Sequence, residues 1–408
     1  MPLDWPLDDM VKFSMPRCNP LLCPIYSLAA AITLSFACDA QEATKMLQQT
    51  QIKGLLVVQL DDGGYAGTAS QMNATAVKKE SGFEIGFNQS VGDLMIKATA
   101  EVDKFLRVRH AGKIPTKLRI EFSFADKYSP KDGPSAAVVC ALMADSIISG
   151  KKIDPGFAAT GDMTATGAVQ PVGGVASKIK GAIRKNCTHV GIPDANKGSI
   201  TDAYLLQGIK PLYQIQVFSL KNFDQASDLA ALDRPESVQK ALDEFTLVQK
   251  ALKKNNKYIY NGKVRAKLRT IVKLTPNHLS AKLLLLHSIK KAPKKLSLVG
   301  SLTGVDQAGE KLLSMLRDGS FMKPGNLGDD VLTDLVYELS RLRPMLDKRT
   351  TGYADAFLDV ANFFKRHRGR NRINAQLERE LNTKARAIGI ERKKLLNDPD
   401  IREELMAD

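Results

Sequence analysis

The sequence is poor in the residues that mark several common kinds of functional site. It has five cysteines, five histidines and one tryptophan among 408 residues. The histidines form no HExxH or similar spacing, which argues against a metal centre. A GxxxxGK[ST] loop and a GxSxG elbow are also missing, so neither a nucleotide-hydrolysing motor nor a conventional hydrolase triad is indicated. The sequence therefore predicts no metal and no cofactor.

The N-terminus has the pattern of a targeting segment. Lys12 and Arg17 precede an apolar stretch over residues 21–37, and polar residues follow from Cys38 on. A charged, an apolar and a small-residue segment in this order are typical of a secretory signal. The 17-residue stretch is short for a membrane span of about 20 residues. We expect residues 1–40 to be a signal peptide of a periplasmic or extracellular protein, with an uncleaved membrane anchor or a buried helix as alternatives.

Two further cysteines, Cys140 and Cys187, belong to the folded part of the chain. Two widely spaced cysteines form neither a disulfide framework nor a metal knuckle. Pairing after export and two free buried thiols both stay open.

The net charge of +15 is concentrated in the C-terminal part. From residue 236 on, the chain has 34 lysines and arginines against 21 aspartates and glutamates, whereas the remainder is nearly neutral. A basic surface attracts nucleic acid, acidic lipid or acidic protein, but it also serves simply as a solvated helix face. No recognised nucleic-acid module accompanies the charge, so nucleic acid is disfavoured as a partner.

Short strand-like runs alternate with helical patterns over the first half of the chain. We predict strands at residues 52–60, 82–87, 117–124, 189–192 and 213–220, and a hairpin or strand pair within 157–174. Apolar residues at helical spacing predict helices at residues 91–110, 135–149 and 174–186. Together these patterns predict an α+β domain over residues 49–221.

A different organisation is predicted beyond that domain. Residues 222–235 contain Asp, Ser and Pro and are expected to be a linker. Residues 236–408 are expected to form an all-α basic domain, with a turn at Pro276 between two helices. That turn resembles a junction between tetratricopeptide repeats, although no clean second copy occurs at the expected period. A helical-hairpin array and a plain bundle both stay open.

A loop of residues 130–137, Pro-Lys-Asp-Gly-Pro-Ser-Ala-Ala, stands directly before an apolar helix. Its glycine and two prolines impose a particular loop shape and place Ser135 near the helix N-terminus. The unpaired N–H groups and the positive end of the helix dipole favour an alkoxide and a developing oxyanion there. An ordinary N-cap serine is the alternative interpretation.

The loop at residues 130–137 is followed by Thr-Gly-Asp at 160–162 and by Pro-Val-Gly-Gly-Val-Ala-Ser-Lys at 171–178. Together these three motifs resemble the proteolytic domain of the Lon protease family. Their order and the 43-residue separation of Ser135 and Lys178 agree with the family pattern. The resemblance implies Ser135 as the nucleophile, Lys178 as its general base and Thr160 as a residue that helps to hold the lysine. Ala137 and Asp162 depart from the family's usual glycine and glutamate.

The chemistry requires a neutral amine within hydrogen-bond reach of the serine hydroxyl. A lysine ordinarily titrates near about 10.4, so Lys178 can accept a proton near neutral pH only if apolar burial lowers its pKa. Val172, Val175 and Ile179 supply apolar neighbours along the chain. Backbone N–H groups from Asp132 to Ser135, including that of Gly133, are candidate oxyanion donors.

The sequence thus predicts an ATP-independent serine endopeptidase of the cell envelope that cleaves unfolded or flexible proteins with a Ser135–Lys178 dyad. The Lon resemblance also implies a ring-shaped homo-oligomer. A membrane contact is expected only through an uncleaved N-terminal segment. The alternative is a catalytically silent Lon-like scaffold that binds peptides or proteins.

Overall fold

The predicted signal or anchor segment over residues 1–40 lies outside the part of the chain that the computed structural model describes. No helix in the described ranges combines the length and the apolar character needed to cross a membrane. The described residues are 46–59, 65–125, 132–317, 329–368 and 373–406.

A seven-stranded mixed sheet forms the centre of the first half of the chain, in the order β3-β4-β2-β1-β5-β8-β9. β1 with β2 and β2 with β4 pair antiparallel, and the other neighbours pair parallel. β6 and β7 form a separate hairpin. The strands are β1 (Gln49–Gln59), β2 (Tyr65–Lys78), β3 (Gly82–Phe87), β4 (Lys117–Phe124), β5 (Phe157–Ala159), β6 (Asp162–Met163), β7 (Val169–Gln170), β8 (His189–Pro193) and β9 (Gln216–Leu220).

Helices cover both faces of this sheet and make up nearly all of the second half, which confirms the predicted α+β domain followed by a helical region. They are α1 (Asp93–Arg109), α2 (Ala137–Ser149), α3 (Val175–Arg184), α4 (Gly198–Gln207), α5 (Lys210–Gln214), α6 (Phe223–Ala230), α7 (Glu236–Lys254), α8 (Gly262–Leu274), α9 (Leu279–Ser288), α10 (Leu298–Arg317), α11 (Asp329–Leu342), α12 (Thr351–His367), α13 (Ala375–Leu396) and α14 (Pro399–Met406).

The longest strand, β2, is one that the sequence patterns did not predict. Its residues are mostly small or polar, so no run of apolar side chains signals a strand. Its buried positions also change face along the strand. Ala69 packs into the core on one side of the sheet, whereas Met72 and Ala74 pack into the core on the other. Such a strand lacks the simple alternation from which strands are recognised.

The sheet separates two hydrophobic cores. On one face α1 and α2 pack with Ile52 and Leu56 of β1. On the opposite face α3 packs with Leu55 of the same strand. The alternation of side chains along β1 therefore supplies both cores.

The segment expected to be a linker, residues 222–235, is largely a helix. α6 buries Phe223, Ala226 and Leu229, whose spacing of three residues forms one apolar face. Asn222 caps the helix by accepting a hydrogen bond from the Gln225 N–H at 3.1 Å. The segment therefore joins the core instead of separating two domains.

Helices α7 to α9 share a core with the sheet, so the packing does not divide at residue 236. Phe245 of α7 and Leu284 of α9 lie in one buried cluster with Val190 of β8. The turn before α9 also covers the free edge of β9. The backbone carbonyl oxygen of Asn277 accepts from the Ser219 N–H at 2.9 Å. The side-chain Nδ2 of Asn277 donates to the Ser219 carbonyl oxygen, also at 2.9 Å.

His278 anchors this cover from within the core. It is fully buried, and its ring lies 4.2 Å from the ring centre of Phe218 and 4.5 Å from that of Phe245. Nδ1 accepts from the Ala281 N–H at 3.3 Å, so Nε2 carries the proton and donates to Gln216 Oε1 at 3.2 Å. Desolvation lowers the pKa of His278 to about 3.

A third buried cluster unites α10 to α14 and is joined to α4 through Asp202. The Asp202 carboxylate accepts from Ser297 N–H at 2.9 Å and from Ser297 Oγ at 2.6 Å. Gly300 leaves room for it, since a Cβ there would lie 2.3 Å from Asp202 Cγ. Burial raises the pKa of this carboxyl despite the two hydrogen bonds.

Cys140 and Cys187 are both free and buried. Burial raises the pKa of both thiols. Since the thiolate is the nucleophilic form, neither cysteine competes with Ser135 as a nucleophile.

We predict that Gly181→Ala destabilises the protein by about 3 kcal/mol, because the added Cβ would lie 2.5 Å from the Gly67 carbonyl carbon. Gly389→Ala is the matched control in α13, where a Cβ meets nothing within 4 Å. Alanine has a better helix propensity than glycine, so this control should be more stable than the parent protein by about 0.5–1 kcal/mol. Urea unfolding of both variants checks this, and equal midpoints would contradict the proposed backbone contact.

We predict that acid weakens the fold through His278. Its pKa is lowered on folding, so the stabilisation is complete above the unfolded value of 6.5 and is lost as the pH falls towards 3. The slope is about 1 kcal/mol per pH unit for one such group. His278→Asn keeps a capping oxygen but cannot titrate. The free energy of unfolding should therefore fall less steeply in this variant between pH 7 and 4.5, and identical slopes would refute the assignment.

Candidate active site

Ser135 lies in a short 3-10 turn, Pro134–Ala136, between the glycine of its loop and helix α2. Gly133 has a φ of 102°, a region that favours glycine. α2 itself begins at Ala137, and its capping position is Ala136. Ser135 is therefore not the N-cap of this helix, which removes the simplest structural explanation for a serine here. The residue is only 7% exposed.

The backbone of Ser135 is fixed to the segment that follows β5. Its carbonyl oxygen accepts from the Gly161 N–H at 2.9 Å and from Thr160 Oγ1 at 3.2 Å. In return, the Gly161 carbonyl oxygen accepts from the Val138 N–H at 3.1 Å. Thr160 is bonded in turn to Gly191 through its own N–H. The serine turn is thus held at the carboxyl end of β5.

Lys178 lies on the inner face of α3 and has no exposed surface. Val175, Ile179 and Ala182 share this face. Gly174, with a φ of 63°, turns the chain into the helix. A lysine on a solvated helix face would be largely exposed, so this simpler interpretation does not hold for Lys178.

The helix that carries Lys178 touches β2 backbone to backbone. A Cβ on Gly67 would lie 1.9 Å from the Ser177 carbonyl oxygen and 2.6 Å from the Lys178 nitrogen. A Cβ on Gly181, on the helix side of this contact, would likewise lie 2.5 Å from the Gly67 carbonyl carbon. Arg184 donates to the Gly67 carbonyl oxygen one turn further on. Neither glycine is recognisable from the sequence, because the role of both depends on a contact between distant segments.

The sheet register places both candidate residues beyond the same strand end. β5 ends at Ala159, which pairs with Gly54 of β1. Gly67, next to Lys178, pairs with Val57, three residues further along β1. At about 3.3 Å per residue, this is roughly 10 Å past the end of β5. The serine turn is bonded to the residues that follow Ala159. It therefore lies at the same end of β5, on the face of the sheet opposite to α3.

Asp132 and Gly133 play a structural part in this arrangement. Asp132 Oδ1 accepts from the Met95 N–H at 3.2 Å and from the Gly133 N–H at 2.8 Å. The carboxylate thereby caps α1, and Gly92 leaves room for it. Because the Gly133 N–H already donates to Asp132, it is not aimed at an oxyanion in this arrangement.

Residues 41–225 match the family described as the Lon protease (S16) C-terminal proteolytic domain. This part of the chain is similar to that proteolytic domain. Lon protease 2 of Borreliella burgdorferi is 33% identical over 137 residues, 33% of this chain and 17% of that protein. Lon protease of Salinispora arenicola is 32% identical over 144 residues, 34% of this chain and 18% of the relative. The archaeal Lon protease of Thermoplasma acidophilum is 26% identical over 206 residues, 50% and 30% respectively.

The chain thus spans less than a third of the length of each of these relatives. The match includes all three motifs that carry the resemblance and ends within α6. It supports a domain of the serine peptidase type for the first half of the chain. Helices α7 to α14 lie outside the matched residues.

Asp162 is a further half-buried titratable group near the serine turn. Burial raises the pKa of Asp162, which stands in the Thr-Gly-Asp motif, although the Met163 N–H donates to its carboxylate at 2.7 Å. Within the described ranges, no three side chains of His, Cys, Asp or Glu are grouped so that they could hold a metal ion.

We predict that Thr160→Val lowers the free energy of unfolding by about 1 kcal/mol, because it removes the hydroxyl that donates to the Ser135 carbonyl oxygen. Thr160→Ser keeps that hydroxyl and is the matched control. Thermal unfolding of the two variants provides the comparison. If the valine variant is as stable as the serine variant, the hydroxyl does not hold the serine turn.

Proposed function

We propose that this chain is a serine endopeptidase in which Ser135 and Lys178 form the catalytic dyad. One observation carries the proposal: a lysine without exposed surface lies past the same strand end as a buried serine of a Lon-type domain. Burial disfavours the charged form of an amine, and the mechanism needs the neutral form. A buried lysine is costly for a fold, so a use for the amine is expected.

The proposed reaction begins with proton transfer from the Ser135 hydroxyl to the Lys178 amine. The serine oxygen attacks the scissile carbonyl carbon, and the resulting oxyanion collapses with cleavage of the C–N bond. The leaving amine takes the proton from Lys178, which leaves an acyl-enzyme. Lys178 then removes a proton from water, the hydroxide cleaves the ester, and the proton returns to Ser135.

Thr160 is proposed to assist by positioning the lysine amine. Its hydroxyl donates its single proton to the Ser135 carbonyl oxygen. The lone pairs of the same oxygen can still accept from an amine. Thr160 would thereby be hydrogen-bonded both to the backbone of Ser135 and to the amine of Lys178.

The substrates we propose are unfolded or flexible polypeptides, cleaved without ATP in the cell envelope. The absence of a GxxxxGK[ST] loop from the 408 residues supports ATP independence of this chain. The charged and apolar pattern of residues 1–40 supports export. A ring-shaped homo-oligomer is proposed on the Lon resemblance alone.

We predict that the purified protein cleaves unfolded casein without ATP and that Ser135→Ala and Lys178→Met reduce the rate by at least about 10³-fold. Methionine fills nearly the volume of the buried lysine but cannot accept a proton. Lys180→Met is the matched control, since Lys180 is exposed on the same helix. Peptide release measured by fluorescence gives kcat/KM for each variant.

Cleavage that survives in both dyad variants would place the chemistry elsewhere. A parent protein that binds casein but never cleaves it would instead favour the silent scaffold. Circular dichroism of each variant separates loss of chemistry from loss of fold.

A further inference from the structure

Among the described residues, one edge of the central sheet has no further strand paired to it. Within the described residues, β4 is the only strand neighbour of β3. The Asn88 N–H donates to Phe122 of β4, so even-numbered residues direct their backbone groups towards β4. The odd-numbered residues, including Ile85 and Phe87, therefore direct theirs away from the sheet. At one end of this edge Arg107 donates to the Phe83 carbonyl oxygen at 2.8 Å.

The opposite edge of the sheet, formed by β9, is covered by hydrogen bonds from another segment. Along β9, the Val217 N–H donates to Ser280 Oγ at 3.0 Å, and Ser280 Oγ donates to the Ile215 carbonyl oxygen at 3.2 Å. With the Asn277–Ser219 pair, these bonds cover β9 with the turn before α9 and the first residues of that helix. Exposed strand edges pair readily with other chains, and proteins commonly cover them. The contrast with β3 indicates that its open edge has a use.

An apolar groove runs beside that open edge, between β3 and α1, with a volume of about 640 Å³. Phe83, Ile85 and Phe87 line it from the strand, and Ile96 and Ala100 line it from the helix. Ile96 is 56% exposed. A strand added to β3 would place alternate side chains in this groove.

The charges at the groove are paired with one another. Asp103 is bonded to Arg107, and Lys104 to Glu101. Glu84 is bonded to Lys79 and Arg119. The rim therefore favours neither an acidic nor a basic ligand, and the selective elements are backbone pairing and apolar contact.

One end of the groove lies close in the chain to the residues that contact the nucleophile loop. Ser90 and Val91 line its end. The next residue, Gly92, abuts the Asp132 carboxylate, which caps α1 and stands three residues before Ser135. An occupant that extended past Val91 would therefore approach the loop that carries Ser135.

We infer that this groove binds an extended, apolar stretch of an unfolded polypeptide substrate, which adds a strand to the free edge of β3. The inference rests on the proposed function, since it assigns that substrate class a second contact remote from the scissile bond. An unfolded chain fits because its backbone N–H and C=O groups are free to pair, whereas those of a folded protein are mostly used.

The test measures binding in the Ser135→Ala full chain, so that no cleavage is required. Fluorescently labelled unfolded casein is the probe, and its anisotropy gives Kd. Ile96→Arg places a charge in the groove, and we expect it to weaken binding about tenfold. Val108→Arg is the matched control, because Val108 is 74% exposed on the same helix and does not line the groove. Ala100→Arg, at a second exposed lining position, should act like Ile96→Arg.

Equal casein affinity in the groove variants and the Val108→Arg control overturns the inference. So does a parent oligomer that dissociates when Ile96 or Ala100 is replaced, because a second copy of the chain would then occupy the groove. In otherwise wild-type protein, Ile96→Arg should raise KM for casein about tenfold and leave cleavage of a short reporter peptide unchanged. A protein that binds through the groove but never cleaves would refute the peptidase proposal and leave this inference standing.

Discussion

The backbone contact between α3 and β2 sets the position of the buried lysine. Gly67 and Gly181 allow a helix and a strand to approach more closely than any side chain would permit. Lys178 lies on the helix turn between Ser177 and Gly181, so its height above the sheet follows from this contact. A larger residue at either glycine would lift the helix and with it the amine. The dyad proposed here therefore depends on two residues that have no chemistry of their own.

The turn that carries Ser135 is held in place by hydrogen bonds and not by a backbone contact between glycines. A 3-10 turn has poorer hydrogen-bond geometry than an α-helix and needs external support. Thr160 and Gly161 supply that support at the Ser135 carbonyl oxygen. Asp132, three residues before Ser135, accepts a hydrogen bond from the Met95 N–H in the first turn of α1. The position of the nucleophile is thus linked both to the end of β5 and to the helix that forms one wall of the β3 groove.

The sequence was sufficient for the parts that depend on local pattern. The residues of β3 and β4 and the helices α1 and α2 follow from periodicity, and the order of the motifs identifies Ser135 and Lys178 as candidate site residues. β2 was missed because small residues bury both of its faces, and the α6 segment was taken for a linker because its Asp, Ser and Pro residues obscure a three-residue apolar spacing. The shared core of α7 to α9 with the sheet depends on contacts between Phe245, Leu284 and Val190, which no local pattern reveals.

That shared core changes how the basic second half is understood. A separate domain could be a detachable adaptor, but α7 to α9 complete the hydrophobic core on the α3 face and cover β9. His278 stands at this junction with both ring nitrogens bonded and its ring between two phenylalanines. The helices therefore help to hold the face on which Lys178 is buried. Whatever partner their positive charge attracts, it would bind to a structure that the proposed active site already needs.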